Sequence, residues 1–94
     1  MEVCFYLDSE TGKPHICKHD VVEDEVEDVL RRPGEDRSGR EGSRVAIGQT
    51  QAGQYLRVIY VPEPMPDRVF VITAYELVGK PLVAYKGRIR RRRR

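Results

Sequence analysis

The chain has 94 residues, 34% of them charged and 39% hydrophobic, with a formal net charge of +2. That length makes one domain, which buries only about two-thirds of its unfolded surface. No apolar run approaches the roughly 18 residues of a membrane span, and Met1-Glu2-Val3-Cys4 has neither the basic nor the apolar stretch of a secretory signal.

Val3 to Leu7 reads as a first strand, and Asp8 to Pro14 as turn residues. Val22, Val26, Val29 and Leu30 recur at helical spacing, with Glu23, Asp24, Glu25, Glu27 and Asp28 on the opposite face. Asp20 is the expected N-cap, with Glu23 completing a capping box. Arg31 and Arg32 suit the helix C-terminus, and Pro33-Gly34 ends it. Residues 33–43 are charged, polar or glycine after Pro33, which predicts a flexible loop. Arg44–Gln49 and Tyr55–Val61 are strands of a hairpin turning at Gln51-Ala52-Gly53-Gln54. A loop of three prolines, Pro62 to Asp67, leads to the strand Arg68–Leu77. Gly79-Lys80-Pro81 breaks that strand, and Leu82 to Tyr85 lead into a basic tail. The order is β-α-βββ-tail, an α+β fold with one helical layer on one antiparallel sheet. Residues 1–87 form the domain and 88–94 an arginine-rich tail.

Charge divides the chain sharply. From Lys80 onward there are eight bases and no acid, whereas residues 1–79 hold nine bases against fifteen acids. A cationic end attached to a sheet points to RNA, DNA or an acidic protein as partner. Lys80, Lys86, Arg88, Arg90, Arg91 and Arg92 are candidate phosphate ligands, with Lys18 beside the helix start. Strand alternation places Thr73, Tyr75 and Leu77 on one face, and tyrosines near Arg57 can stack a base or donate to a phosphate. His19 can act as a general base or acid near neutral pH. His15, Cys17 and His19 alternate, yet with Cys4 they fit no common zinc spacing. No metal and no cofactor is expected. Two cysteines are too few for a disulfide framework and read as reduced thiols of a cytoplasmic protein.

Lys18-His19-Asp20-Val21 followed by Glu23-Asp24-Glu25-Val26 resembles the Lys-His-Gly-Val…Glu-Glu-Ala signature of BrnT-like toxins. Ala46-Ile47-Gly48-Gln49-Thr50…Gly53-Gln54-Tyr55-Leu56-Arg57-Val58-Ile59-Tyr60 is similar to that family's Ala-Ile-Gly-Arg-Thr…Gly-Arg-x-Leu-x-Val-x-Tyr. Val71-Ile72-Thr73-Ala74-Tyr75 falls where the family has Ile-Ser-Ala-Arg, and a basic end follows. The resemblance covers roughly residues 15–92. A related group of uncharacterised small domains, with Ile-Thr-Ala-Tyr…Gly-Lys and an arginine-rich end, is similar as well. The resemblance implies a RelE/ParE-like fold and a metal-independent ribonuclease toxin of a type II toxin–antitoxin pair. Its partners would be RNA and a cognate DNA-binding antitoxin. Tyr75 and Gln54 stand where the family has arginines.

On that reading an RNA 2′-OH attacks the adjacent phosphorus, and His19 or Tyr75 removes its proton. Arg57, Lys80, Arg88 or Arg90 stabilises the pentavalent phosphorane, and Tyr85 or His19 protonates the leaving 5′-oxygen. A tyrosine base requires neighbouring cations, such as the tail arginines, to lower its pKa from about 10. The alternatives are a non-catalytic module on the same fold, binding nucleic acid or a protein, and a structural protein with a solvated tail.

Overall fold

A computed structural model describes residues 2–65 and 67–92; Met1, Pro66, Arg93 and Arg94 lie outside the described residues. The strands are β1 (Glu2–Phe5), β2 (Glu35–Ser38), β3 (Arg44–Gln49), β4 (Tyr55–Pro62) and β5 (Arg68–Glu76). A 3-10 helix (His15–His19) and α1 (Glu23–Arg31) separate β1 from β2, and α2 (Gly79–Arg92) follows β5. The strands form one sheet in the order β1-β5-β4-β3-β2. The molecule is α+β, as its sequence predicts, with helices on both faces of the sheet rather than one.

The sheet is mixed, not purely antiparallel. β1 ends at Phe5 and pairs parallel with β5, Glu2 with Arg68 and Phe5 with Val71. Beyond Val71 the β5 edge lies against the 3-10 helix instead. Between Ile59/Tyr60 and Thr73/Val71 the β4–β5 register slips, leaving Ile72 as an extra residue. This bulge puts Val71 and Ala74 together in one core.

That core is closed by Val26 and Val29 of α1 and Ile16 of the 3-10 helix, against Ala46, Leu56, Val58, Val71 and Ala74. The acids of α1 stay outside it. Asp20 does not cap α1, because it adopts a left-handed conformation (φ 57°) that ends the 3-10 helix. Val22 is the N-cap, and its N–H donates to the Glu25 carboxylate at 2.9 Å. Gly48 gives α1 room where it ends over β3. A Cβ there would lie 3.3 Å from both the Arg32 carbonyl and a Val29 methyl.

The expected loop 33–43 contains β2, which pairs antiparallel with β3, Glu35 opposite Ile47. Its charged sequence suits an edge strand, where charges discourage further pairing. Asp36 is held by Arg44 Nε at 2.9 Å and by the Tyr60 hydroxyl, which donates at 2.6 Å. Burial pushes the Tyr60 phenol up, and the Asp36 carboxylate adds to the effect.

The largest difference from expectation is α2. Leu82 to Tyr85 are helical, and the helix runs on through Arg92 across the boundary drawn at residue 87. Pro81 falls in its first turn, where a missing N–H costs nothing. Leu82, Tyr85 and Ile89, spaced at i, i+3 and i+7, pack on Val45, Ile47 and Leu77.

Candidate functional site

Directly opposed residues of antiparallel strands share a face. The register therefore draws one row across the α2 side of the sheet: Glu35 on β2, Ile47 on β3, Arg57 on β4 and Tyr75 on β5. At the β5 end of this row the 3-10 helix delivers His19, whose ring centre lies 6.0 Å from that of Tyr75 at an interplanar angle of 62°. His15 follows one turn back, 5.6 Å from His19. His15 Nδ1 in turn lies 3.8 Å from the Asp8 carboxylate.

Three of the four predicted catalytic residues, His19, Tyr75 and Arg57, are thus neighbours. Arg57 is half-buried, and its Nε is buried without an acceptor among the described residues. It has no carboxylate partner among them either. A guanidinium without an acceptor in a partly desolvated face can receive an anion.

The fourth, Tyr85, stands apart. It is 5% exposed, under α2, with its hydroxyl against Gly34. Burial is the main cause that raises its pKa, and the Glu35 carboxylate adds to it. Arg88 and Arg92 pull the other way and are outweighed. For Tyr85, a candidate acid, burial therefore outweighs the downward pull of these arginines.

Glu35 anchors the other end of the row. It is 4% exposed. Arg88 grips it with two hydrogen bonds, one from Nε and one from Nη2 at 3.1 Å. Arg92 donates to the same carboxylate at 3.4 Å and to the Gly34 carbonyl at 3.0 Å. The Arg88 hydrogen bonds hold the Glu35 carboxyl below the ordinary carboxylate range, against the opposing effect of burial. Two predicted phosphate ligands are therefore fastenings of α2. Lys18 is likewise occupied, since it pairs with the buried Asp8. That hydrogen bond, with one from the Glu10 backbone, lowers the Asp8 pKa.

Lys86 rests over the Tyr55 ring, 5.0 Å from its centre. Lys80, Arg90 and Arg91 are exposed, with no ion pair among the described residues. Glu35 escapes a reading of the sequence alone, because it sits in a polar stretch without periodicity. Arg32 reads there only as a helix-end charge. Among the described residues no group of three or more His, Cys, Asp or Glu side chains is gathered around one point. None of the described helices is long and apolar enough to cross a membrane. The chain matches no protein-family model, no curated protein and no solved structure.

Proposed function

We propose that the α2 side of the sheet is an RNA-directed site and that the chain is a toxin-like, metal-independent endoribonuclease of RelE/ParE type. The observation that carries this reading is Arg57 beside Tyr75, its buried Nε without an acceptor among the described residues, with His19 at the adjoining edge. The resemblance of Lys18-His19 and Ala46-Ile47-Gly48 to BrnT-like toxins supports it from the sequence. A cognate antitoxin, itself DNA-binding, and a cytoplasmic location belong to the same proposal.

The reaction distributes as follows. The 2′-oxygen of one ribose attacks the adjacent phosphorus, and its proton passes to the His19 imidazole. Arg57 holds the doubly charged equatorial oxygens of the phosphorane, taking the place of the arginines that Tyr75 and Gln54 replace. The bond from phosphorus to the 5′-oxygen breaks as the Tyr75 hydroxyl gives that oxygen a proton. The products are a 2′,3′-cyclic phosphate and a free 5′-hydroxyl. Tyr85 takes no part, because it lies beneath α2.

The test is incubation of purified protein with cellular RNA in the presence of a chelator, followed by analysis of the new ends. Cyclic phosphate ends are expected, with rates lowered about 10²- to 10³-fold in Arg57→Gln and about 10²- to 10⁴-fold in His19→Ala. Intact RNA with folded wild type, or unchanged rates in both variants, overturns the catalytic reading. Intact RNA that is nevertheless bound in a salt-dependent way would make the chain a non-catalytic binding module.

A further inference from the structure

One row beyond Arg57, on the same face, β3 and β4 pair Gln49 with Tyr55. Here the C-terminal end of α1, the hairpin strands and α2 enclose a cleft of about 590 Å³. Its walls carry three cations from three directions: Arg32 at the end of α1, and Lys86 and Arg90 on successive turns of α2. Among the described residues no acid lines it. All three cations are exposed and without an ion pair among the described residues.

The floor is aromatic. Tyr55 is half-buried and fixed from below by the edge of Tyr85, ring centres 5.9 Å apart. Its own face is covered by the Lys86 ammonium. A lysine on a flexible stem leaves a ring readily and can follow a phosphate instead. Beside the ring, the Gln49 amide nitrogen donates to the Gly53 carbonyl at 3.1 Å, which fixes the side chain and leaves its oxygen as an acceptor. A ring platform, a fixed amide and converging cations are together the elements that hold a base and its phosphate.

We infer that this cleft is a nucleotide subsite, in which a base stacks on Tyr55 and its phosphate lies between Arg32 and Arg90. The Gln49 oxygen favours a base that presents an exocyclic amine, adenine, cytosine or guanine over uracil. The inference rests on the RNA-directed reading above. It adds that the nucleotide flanking the scissile phosphate is selected here, because Tyr55 and Arg57 are alternate residues on the same face of β4.

The experiment is fluorescence anisotropy with an uncleavable, fully 2′-O-methylated hexanucleotide of adenine, its uracil counterpart, and AMP as competitor. Arg32→Gln with Arg90→Gln changes only exposed side chains and should keep the wild-type melting curve. It is expected to weaken adenine-strand binding at least tenfold, and Tyr55→Leu about tenfold. Wild type is expected to prefer the adenine strand to the uracil strand. Competition by AMP identifies a free nucleotide as sufficient ligand, while binding of the hexanucleotide alone identifies a strand. Equal binding by wild type and the Arg32/Arg90 variant, or no binding by wild type, overturns the subsite. Cleavage of unmodified RNA is scored in parallel. Cleft-dependent binding without cleavage removes the ribonuclease and keeps the subsite, whereas cleavage with cleft-independent binding does the reverse.

Discussion

The two faces of the sheet are built on different principles. The α1 face is closed by aliphatic packing, with Val26, Val29, Val58 and Val71 wholly inaccessible to solvent. The α2 face has a smaller apolar cluster of Val45, Ile47, Leu77 and Tyr85, and its helix is fastened at the far end by Glu35, Arg88 and Arg92. One face is packed shut, and the other borders an open cleft. Charged fastenings respond to pH and neighbouring ions, which methyl packing does not. A helix held by them can carry Lys80, Lys86, Arg90 and Arg91, which make no ion pair among the described residues, without collapsing onto the sheet.

Removing bulk from the α1 face should show the largest effect. Leu56→Ala is expected to cost about 2–5 kcal/mol in denaturant titration, with the whole chain unfolding in one transition. A loss below about 1 kcal/mol would mean that the two faces contribute alike. On the α2 side, Arg88→Ala leaves the buried Glu35 with only the longer Arg92 bond. It should cost about 2–3 kcal/mol and raise hydrogen exchange in α2 before α1. Simultaneous protection loss in both helices would erase the distinction. Gly34→Ala is expected to act alike and more mildly, at about 1–3 kcal/mol, because its Cβ would fall on the Tyr85 hydroxyl.

Acid should separate the faces without any mutation. The folded pKa of Glu35 is lowered from 4.5. Its contribution is therefore present above that value and fades as pH falls below it toward the folded pKa. Exchange of α2 amides should rise in that window ahead of α1, and equal rise in both would count against the separation. At the alkaline end the sign reverses. Tyr60 and Tyr85 are raised above 10.0, so the stability they contribute holds below that pH and is lost as pH climbs through their folded values. Phenolate absorbance should show both ionising late. The smallest effect belongs to Arg91→Gln, expected within about 0.5 kcal/mol of wild type in stability. Its signature would be a shallower salt dependence of RNA binding, the slope falling by about 0.7 if Arg91 neutralises one phosphate.

Elements that bury one stripe were legible in the sequence. The α1 valines and the alternation of β3, β4 and β5 gave those elements with ends close to their observed limits. β2 was not legible, because an edge strand with one buried residue carries no alternation. α2 left a signal that the arginines obscured: Leu82, Tyr85 and Ile89 fall at helical spacing, and arginine is itself a good helix former. The parallel pairing of β1 could not be read, since the pattern of one strand does not name its neighbour. Of the candidate site, the Thr73-Tyr75-Leu77 face and the nearness of His19 to the helix start were visible. That Arg57 would lie opposite Tyr75, and that Arg88 would be spent on Glu35, depended on register and on a helix not foreseen.

The pairing of β1 with β5 also bears on synthesis. Glu2 has to wait for Arg68 before the sheet edge is sealed. On the ribosome β1 therefore stays without its partner strand until Arg68 to Val71 have been made. His19 reaches Tyr75 only after that late closure. The proposed catalytic pair therefore joins residues from distant parts of the chain, and under the proposed function a chain still in production would lack it.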